Sequence, residues 1–251
     1  MNIPIDQGWI EAVMLAGVRM AAFIVIAPPF SYNAFPGMVK AMIAIGLAIA
    51  ASPIVTHGYK IMDTAGFLET LFTQLIIGFA LGFIVFLIFA AVQAAGSLID
   101  LSGGFQMAQA FDPTMSLNGA QFTRLFQMTA IALMFSSDAY QLIIGGLAKT
   151  FTTLPLEAHF SLSTPVNVMV DGVSQMFVDA IQFAGPLMIV LFLADAGLGL
   201  LTRVAPALNA FSMGYPLKVF ITLTLGSITF VALPNVIASL TTNAVDILVA
   251  K

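Results

Sequence analysis

The feature that most constrains the fold of this chain is a series of long stretches of apolar residues. An α-helix needs about 20 apolar residues to cross the hydrocarbon core of a bilayer, and several of the stretches reach that length. Helices are the expected spanning element, because the short segments of alternating hydrophobicity that mark a membrane barrel do not occur. The stretches lie at residues 9–30, 37–56, 66–98, 122–149, 172–202 and 211–250.

The composition agrees with a membrane location. Hydrophobic residues make up 60% of the chain and charged residues 8%, whereas soluble domains have about 45–50% and about 25%. A soluble protein of this size has no way to hide so much apolar surface. The sequence therefore predicts an all-α membrane protein, with a protein inside a hydrophobic assembly as the alternative. The stretch at 66–98 is too long for one upright span, so we expect it to tilt, bend or extend beyond the bilayer.

Several classes of function are disfavoured by what the sequence lacks. The 8 basic residues are scattered singly among 12 acidic ones, which argues against binding of nucleic acid. Cysteine is absent, so thiolate catalysis and cysteine metal sites are excluded. No phosphate-binding loop, HExxH or GxSxG motif occurs. We therefore expect no catalytic, cofactor-binding or metal-binding residues and no enzymatic activity.

Six charged residues lie within or beside the apolar stretches. A charge in hydrocarbon costs a few kcal/mol even on the lenient insertion scale, so each is expected to meet a partner, water or the headgroup region. An ion pair that locks helices together is favoured over a proton relay. Asp195 and Arg203 are separated by about 12 Å along one helix, so each needs a different partner. The six residues are Arg19, Arg124, Asp179, Asp195, Arg203 and Lys218.

Helix-breaking residues accompany the charges near the end of the chain. Gly197-Leu198-Gly199 and Gly214-Tyr215-Pro216 predict a bend between two helices that is lined by polar groups. The residues assigned to this bend, or to assembly with other subunits, are Asp195, Arg203, Pro206, Gly214, Pro216 and Lys218.

The connection at 103–119 is the longest glycine-containing one. Its two glycines predict a flexible backbone, its phenylalanines and methionines are soft and apolar, and Asp-Pro predicts a turn in the middle. A loop of this kind can close a narrow pore by excluding water. On the residues alone, an ordinary loop that faces lipid or another subunit is favoured over a plug. The loop residues concerned are Gly103, Gly104, Phe105, Met107, Phe111, Asp112, Pro113 and Met115.

Two segments have a distinctive order of glycine, proline and charged residues. Residues 96–113 contain Gly96-Ser97-Leu98-Ile99-Asp100 and then Gly104 and Asp112-Pro113. Residues 198–219 read LGLLTRVAPALNAFSMGYPLKV. Both segments resemble the FliR family of flagellar export proteins, and the resemblance extends over essentially the whole chain. One departure is Ala207, where that family commonly has Gln.

The resemblance implies a subunit of the type III secretion export gate. Such a subunit assembles with FliP-like and FliQ-like subunits and works with FlhB-like and FlhA-like export proteins. Together they pass unfolded flagellar proteins across the bacterial inner membrane, at the flagellar basal body. The resemblance further implies bent helical hairpins: a FliP-like part at 1–180, which includes the plug loop 103–119, and a FliQ-like hairpin at 181–251.

Other functions stay open on the residues alone. A small-solute secondary transporter could use Asp195 and Arg203 to bind its substrate or protons near broken helices. A membrane scaffold without a conducting path is a second alternative. Within secretion systems, the sister possibility is the injectisome SctT family, although the Asp112-Pro113 segment looks more flagellar.

Overall fold

The computed structural model describes residues 6–32, 35–106, 120–157, 163–205 and 210–249. Within these residues the secondary structure consists of seven α-helices and contains no strand, which confirms the predicted all-α class. The helices are α1 (Gln7–Ile26), α2 (Gly37–Val55), α3 (Thr64–Gly103), α4 (Gln121–Ser136), α5 (Ala139–Thr153), α6 (Ser163–Val204) and α7 (Ala210–Val249).

Five of these helices are long and apolar enough to cross a membrane: α1, α2, α3, α6 and α7. The pair α4 and α5 would add a sixth span only as a broken one, because Ser137 and Asp138 separate the two helices. The apolar stretch at 122–149 is therefore not one helix. The break follows from Asp138, which has a left-handed φ of 56° and so interrupts the helical path.

Proline and aspartate set the ends of α1. The Asp6 side chain accepts a hydrogen bond from the Trp9 N–H at 2.7 Å, which caps the first turn. The helix ends at Ile26, just before Pro28-Pro29. Helix α3 has 40 residues, a length of about 60 Å at 1.5 Å per residue. This is about twice the hydrocarbon thickness, as expected for a stretch too long for one upright span.

The described residues form two compact units. One takes in residues within 1–88, 137–173 and 240–251, and the other takes in residues within 89–136 and 174–239. These units are defined by contacts in space. The division at residue 180 that the family resemblance implies concerns likeness to other subunits, and it stays a prediction.

Small residues let the helices of the first unit approach closely. Both α1 and α2 bury several alanines, and a methyl group on Gly17 of α1 would lie 3.7 Å from the Ala48 Cβ of α2. On α3, a Cβ at Gly78 would lie 2.7 Å from the Ala22 Cβ, and one at Gly82 would lie 2.9 Å from the Phe23 carbonyl oxygen. The Gly78-xxx-Gly82 pattern therefore serves as a close contact with α1.

Candidate functional site

Helix α3 ends at the start of the 103–119 segment in a fixed turn. The Phe105 N–H donates to the Asp100 carbonyl oxygen at 2.9 Å, and the Gly104 N–H donates to the Leu101 carbonyl oxygen at 3.4 Å. These two bonds, with Gly104 at a φ of +83°, form a Schellman C-cap. The left-handed backbone at this position favours glycine. Gly104 therefore ends α3 in this turn, and the flexibility expected of the loop stays a prediction.

The side chain of Asp100 joins this end of the segment to the other end. Asp100 is fully buried, and its carboxyl oxygens accept from the Phe122 N–H at 2.9 Å, the Thr123 N–H at 2.8 Å and the Thr123 hydroxyl at 2.7 Å. Phe122 and Thr123 belong to the first turn of α4, whose N–H groups have no partner inside the helix. Asp100 therefore caps α4 from the last turn of α3.

A local cap for α4 is not available from the sequence. The N-cap position is Ala120, and an alanine side chain has no acceptor for the first-turn N–H groups. The remote carboxyl group of Asp100 takes over that role and, in doing so, ties the two ends of the segment together. Three accepted hydrogen bonds offset the cost of burying a polar side chain.

Close backbone contact and aromatic packing reinforce the same junction. A Cβ at Gly96 would lie 2.7 Å from the Thr123 Cα, so α3 and α4 nearly touch. The Phe105 ring meets the Phe122 ring edge-on, with centroids 5.4 Å apart. This geometry is favourable for aromatic pairs. Both ends of the segment are thus held by contacts between the last turns of α3 and the first turn of α4.

One face of α7 lies against the contact between α3 and α4. This face carries Tyr215, Thr222 and Gly226, which are spaced by seven and four residues. A Cβ at Gly103 would lie 2.6 Å from the Thr222 Oγ1, and one at Gly226 would lie 2.7 Å from the Phe122 ring. A Cβ at Gly104 would lie 3.4 Å from the Tyr215 ring. Helix α7 therefore contacts both the end of α3 and the start of α4.

Helix α7 is joined to α6 by an ion pair. The Lys218 Nζ lies 2.7 Å from the Asp195 Oδ2, and the Lys218 and Asp195 side chains are 23% and 50% exposed. A Cβ at Gly214 would lie 3.3 Å from the Leu198 side chain of α6. The expectation that Asp195 needs a partner other than Arg203 is confirmed, because that partner is Lys218.

Helices α6 and α7 are separated by residues 205–209, which lie between the two glycine segments of the predicted bend. Gly197 and Gly199 are inside α6, and Gly214 and Pro216 are inside α7. The residues between the two helices include Pro206 and are largely outside the described ones, so the predicted bend stays a prediction. Arg203 is exposed in the last turn of α6. Six predicted site residues lie outside the described residues: Met107, Phe111, Asp112, Pro113, Met115 and Pro206.

Comparison with known proteins identifies the family. Residues 10–244 match the family described as bacterial export proteins, family 1. The flagellar biosynthetic protein FliR of Escherichia coli K12 is 32% identical over 230 residues, which cover 92% of this chain and 87% of that protein. This chain belongs to the FliR family. The FliR protein of Bacillus subtilis is 28% identical over 243 residues, with 94% and 93% covered.

The FliR family also has relatives among injectisome proteins. The Yop proteins translocation protein T of Yersinia pestis is 28% identical to this chain over 204 residues, which cover 80% of the chain and 78% of that protein. Membership of the FliR family confirms the prediction of a non-enzymatic membrane component of the flagellar type III export apparatus. It favours protein export over the small-solute transport that the residues alone left open.

Arg19 of this FliR-family chain has partners that the sequence did not predict. Its guanidinium group is fully buried and donates to Gln74 Oε1 at 2.6 Å, to Thr150 Oγ1 at 3.3 Å and to the Leu154 carbonyl oxygen at 2.9 Å. It also lies 4.3 Å from the centre of the Phe151 ring. These acceptors are neutral, so among the described residues Arg19 is held by hydrogen bonds and not by the expected ion pair.

The Arg19 cluster caps the end of α5. Leu154 is the C-cap residue of that helix, where carbonyl groups lack helical partners and the helix dipole favours a cation. Gln74 also donates to the Leu156 carbonyl oxygen at 3.2 Å. Arg19 and Gln74 thereby join α1, α3 and α5. Neutral partners such as Gln74 and Thr150 give no charge signal in a sequence, and this is why the cluster was missed.

The first unit also has an open cleft of about 480 Å³ between the ends of α2 and α5. His57, Tyr59 and Glu157 line it. Burial, followed by the nearby Glu11 carboxylate, raises the pKa of Tyr59 to about 12. Its hydroxyl group therefore stays neutral at physiological pH and donates to Glu11 Oε2 at 3.3 Å. Among the described residues, no three His, Asp or Glu side chains are grouped to hold a metal ion.

Proposed function

We propose that this chain forms part of the channel through which the flagellar type III export apparatus passes unfolded flagellar proteins across the bacterial inner membrane. The 103–119 segment, which we call the gate loop, is proposed to be a seal of that channel. The observation that carries the proposal is the fastening of both ends of the gate loop by the Asp100 carboxyl group.

A fastened base suits a seal that must open and close repeatedly. The tip of such a loop can move aside for a passing polypeptide while α3 and α4 keep their contacts. Met107, Phe111 and Met115 supply soft apolar side chains, which exclude water from a narrow pore without any single strong contact. A passing chain then needs to displace only weak interactions.

The exposed apolar surface supports assembly with other subunits. Only 22% of the spanning parts of α6 and of α7 is buried within the chain, against 61% for α3. Such surface must face lipid or protein, and glycine-rich helices pack well against other helices in membranes. We propose FliP-like and FliQ-like subunits as the direct partners, and FlhB-like and FlhA-like export proteins as further ones.

The proposed division of the chain follows those partners. Residues 1–180 are proposed to be the FliP-like part with bent hairpins, and 181–251 the FliQ-like hairpin. The Asp195–Lys218 pair holds α6 to α7 within the hairpin. Arg203, Pro206, Gly214 and Pro216 are proposed to shape its turn or its contacts with neighbouring subunits.

The test of this proposal is the ion conductance of the assembled gate. One variant lacks residues 107–113 but keeps Phe105 and the Asp100 tie. A second replaces Met107, Phe111 and Met115 with serine, which keeps the length of the loop and removes its apolar side chains. Both complexes, purified with their partner subunits and placed in vesicles, are expected to leak ions that the unmodified complex retains. Assembled complexes that stay as tight as the unmodified one would overturn the proposal.

A further inference from the structure

We propose that the open cleft between the ends of α2 and α5, which we call the α2–α5 cleft, is a docking site for a lysine or arginine side chain of a neighbouring subunit. In this arrangement the aliphatic stem of that side chain packs on the apolar walls, and its charged head lies beside the carboxylates of Glu11 and Glu157. The inference rests on the proposed assembly with other subunits. It adds to that proposal a defined site and the chemistry of the partner that fits it.

The α2–α5 cleft has the size and the lining of a binding site for a side chain. Its volume of about 480 Å³ lies within the range of small-ligand sites, about 300–1,000 Å³. Ile54, at the end of α2, remains 43% exposed in the cleft. Its apolar lining residues come from both sides of the cleft: Pro53, Ile54 and Val55 on one side, and Phe151, Pro155 and Leu156 on the other.

Buried hydrogen bonds hold one wall of the cleft from behind. Arg19 donates to the Leu154 carbonyl oxygen at 2.9 Å, and Gln74 donates to the Leu156 carbonyl oxygen at 3.2 Å. The Arg19 guanidinium group also lies against the ring of Phe151, which lines the cleft. This wall is therefore formed before any partner arrives, so that docking requires little reordering of the chain.

The second wall is held to the first by Glu157. Its Oε1 accepts a hydrogen bond from the Lys60 N–H at 3.0 Å, which joins the segment after α5 to the segment after α2. In the second wall the chain turns at Gly58, which has a φ of +80°. A Cβ at Gly58 would meet no atom within 4 Å, so the cleft is open at this turn.

Two carboxylates at the cleft are left without a cation. Glu11 Oε2 accepts from the neutral Tyr59 hydroxyl group at 3.3 Å, and Glu157 accepts from a backbone N–H. Among the described residues neither carboxylate forms an ion pair, although His57 and Lys60 are close in sequence to Tyr59. Burial, then Glu11 and then Glu157 raise the pKa of Tyr59 to about 12. The negative charges of both carboxylates therefore act on the Tyr59 side of the cleft.

Negative charge beside an apolar cleft is complementary to a long cationic side chain. Lysine and arginine combine an aliphatic stem with a charged head. An anionic group would be repelled by Glu11 and Glu157, and a purely apolar side chain would leave both carboxylates without a counter-ion. The Tyr59 ring adds an aromatic face, which also attracts cations. A basic residue of a neighbouring subunit is therefore the occupant that fits the cleft.

Photo-cross-linking in the assembled complex identifies the occupant. A small diazirine-bearing amino acid replaces Ile54 in the cleft, and the control probe replaces Met38 in the first turn of α2. The complex is purified with its partner subunits and illuminated, and the adducts are sequenced by mass spectrometry. We expect the Ile54 probe, but not the Met38 probe, to label a partner subunit within a few residues of a lysine or arginine. Labelling confined to this chain, to phospholipid or to a partner segment without a basic residue overturns the proposal, as does no labelling.

Charge variants test the chemistry of the site. Glu11→Gln and Glu157→Gln remove the negative charges but keep an oxygen that accepts from Tyr59 and from the Lys60 N–H. The double variant should lower the yield of the Ile54 adduct about fivefold, the effect of losing two partly exposed ion pairs. Glu69→Gln is the matched control, because Glu69 is exposed and does not line the cleft. Equal yields from the double variant and the control would overturn the proposal.

The failure of this inference can be told apart from that of the proposed assembly. If the chain co-purifies with its partner subunits but the Ile54 probe does not label them, only the role of the α2–α5 cleft is wrong. If the chain does not co-purify with FliP-like and FliQ-like subunits, the proposed partners are wrong as well.

Discussion

Single polar residues buried among apolar helices determine much of this structure, and Arg19 is the largest of them. Its removal leaves Gln74 and the Leu154 carbonyl group without their donor. We expect Arg19→Ala to cost about 1–3 kcal/mol for each acceptor left unpaired, which is enough to lower the yield of assembled complex. The measurement is the thermal stability of the purified complex in detergent.

Arg124 provides the matched control for Arg19. Like Arg19, it lies within an apolar stretch of the sequence, but its side chain is exposed. Arg124→Ala should change stability by about 0.5 kcal/mol or less, as is usual for exposed positions. Equal losses of stability in the two variants would show that burial of Arg19 is not what makes it important.

The glycines at the end of α3 give a second test at the scale of the residue. Gly104→Ala should cost about 1–2 kcal/mol, because its left-handed backbone is unfavourable for a residue with a Cβ. Gly103→Ala is different, since its Cβ would collide with the Thr222 side chain. Melting temperatures of the complexes will measure both effects.

A second substitution distinguishes the causes of destabilisation in Gly103→Ala and Gly104→Ala. Thr222→Ala removes the two Thr222 atoms that crowd Gly103 and leaves only the Phe105 ring at 3.2 Å, so it should restore most of the stability lost in Gly103→Ala. Tyr215→Ala should give no such rescue to Gly104→Ala, because the strain there lies in the backbone. Rescue of both glycine variants, or of neither, would contradict this assignment.

At the scale of the element, the helices were largely predictable and the contacts that fix their ends were not. Hydropathy located the long helices, because the length of an apolar stretch can be counted directly in the sequence. Pro28-Pro29 marked the end of α1, because a proline has no backbone N–H to continue the helix. The break at Asp138 depends on the backbone angle of that one residue. The capping of α4 by Asp100 depends on a residue that lies 20 or more positions away in the sequence. No periodicity in the sequence encodes either of them.

The Asp195–Lys218 pair supports a prediction about the α6–α7 hairpin. Asp195→Lys and Lys218→Asp each place like charges side by side, so each variant should reduce the amount of assembled complex. The double variant restores opposite charges and should recover much of the loss. Co-purification with partner subunits measures the effect. Equal yields from the single and double variants would indicate that each residue acts through another partner.

At the scale of the whole molecule, exposed apolar surface determines behaviour outside the complex. Most of α6 and α7 is exposed in the single chain, and Phe192, Phe220 and Val231 are among the large side chains left uncovered. We expect the chain expressed alone to aggregate or be degraded, and co-expression with FliP-like and FliQ-like subunits to stabilise it. Size-exclusion chromatography in mild detergent measures this. A monodisperse chain that is unchanged by those subunits would contradict the expectation.

The gate loop is proposed to lie on the path of the exported polypeptide. The most direct test places a photo-cross-linking amino acid at Phe111 of the loop and, as a control, at Met38, which is 78% exposed on α2. An export substrate is then stalled in transit by a folded domain at its end. We predict that the Phe111 probe cross-links to the stalled substrate and the Met38 probe does not. No cross-link from Phe111, Met107 or Met115 in an assembled complex that holds a stalled substrate would contradict this placement of the gate loop.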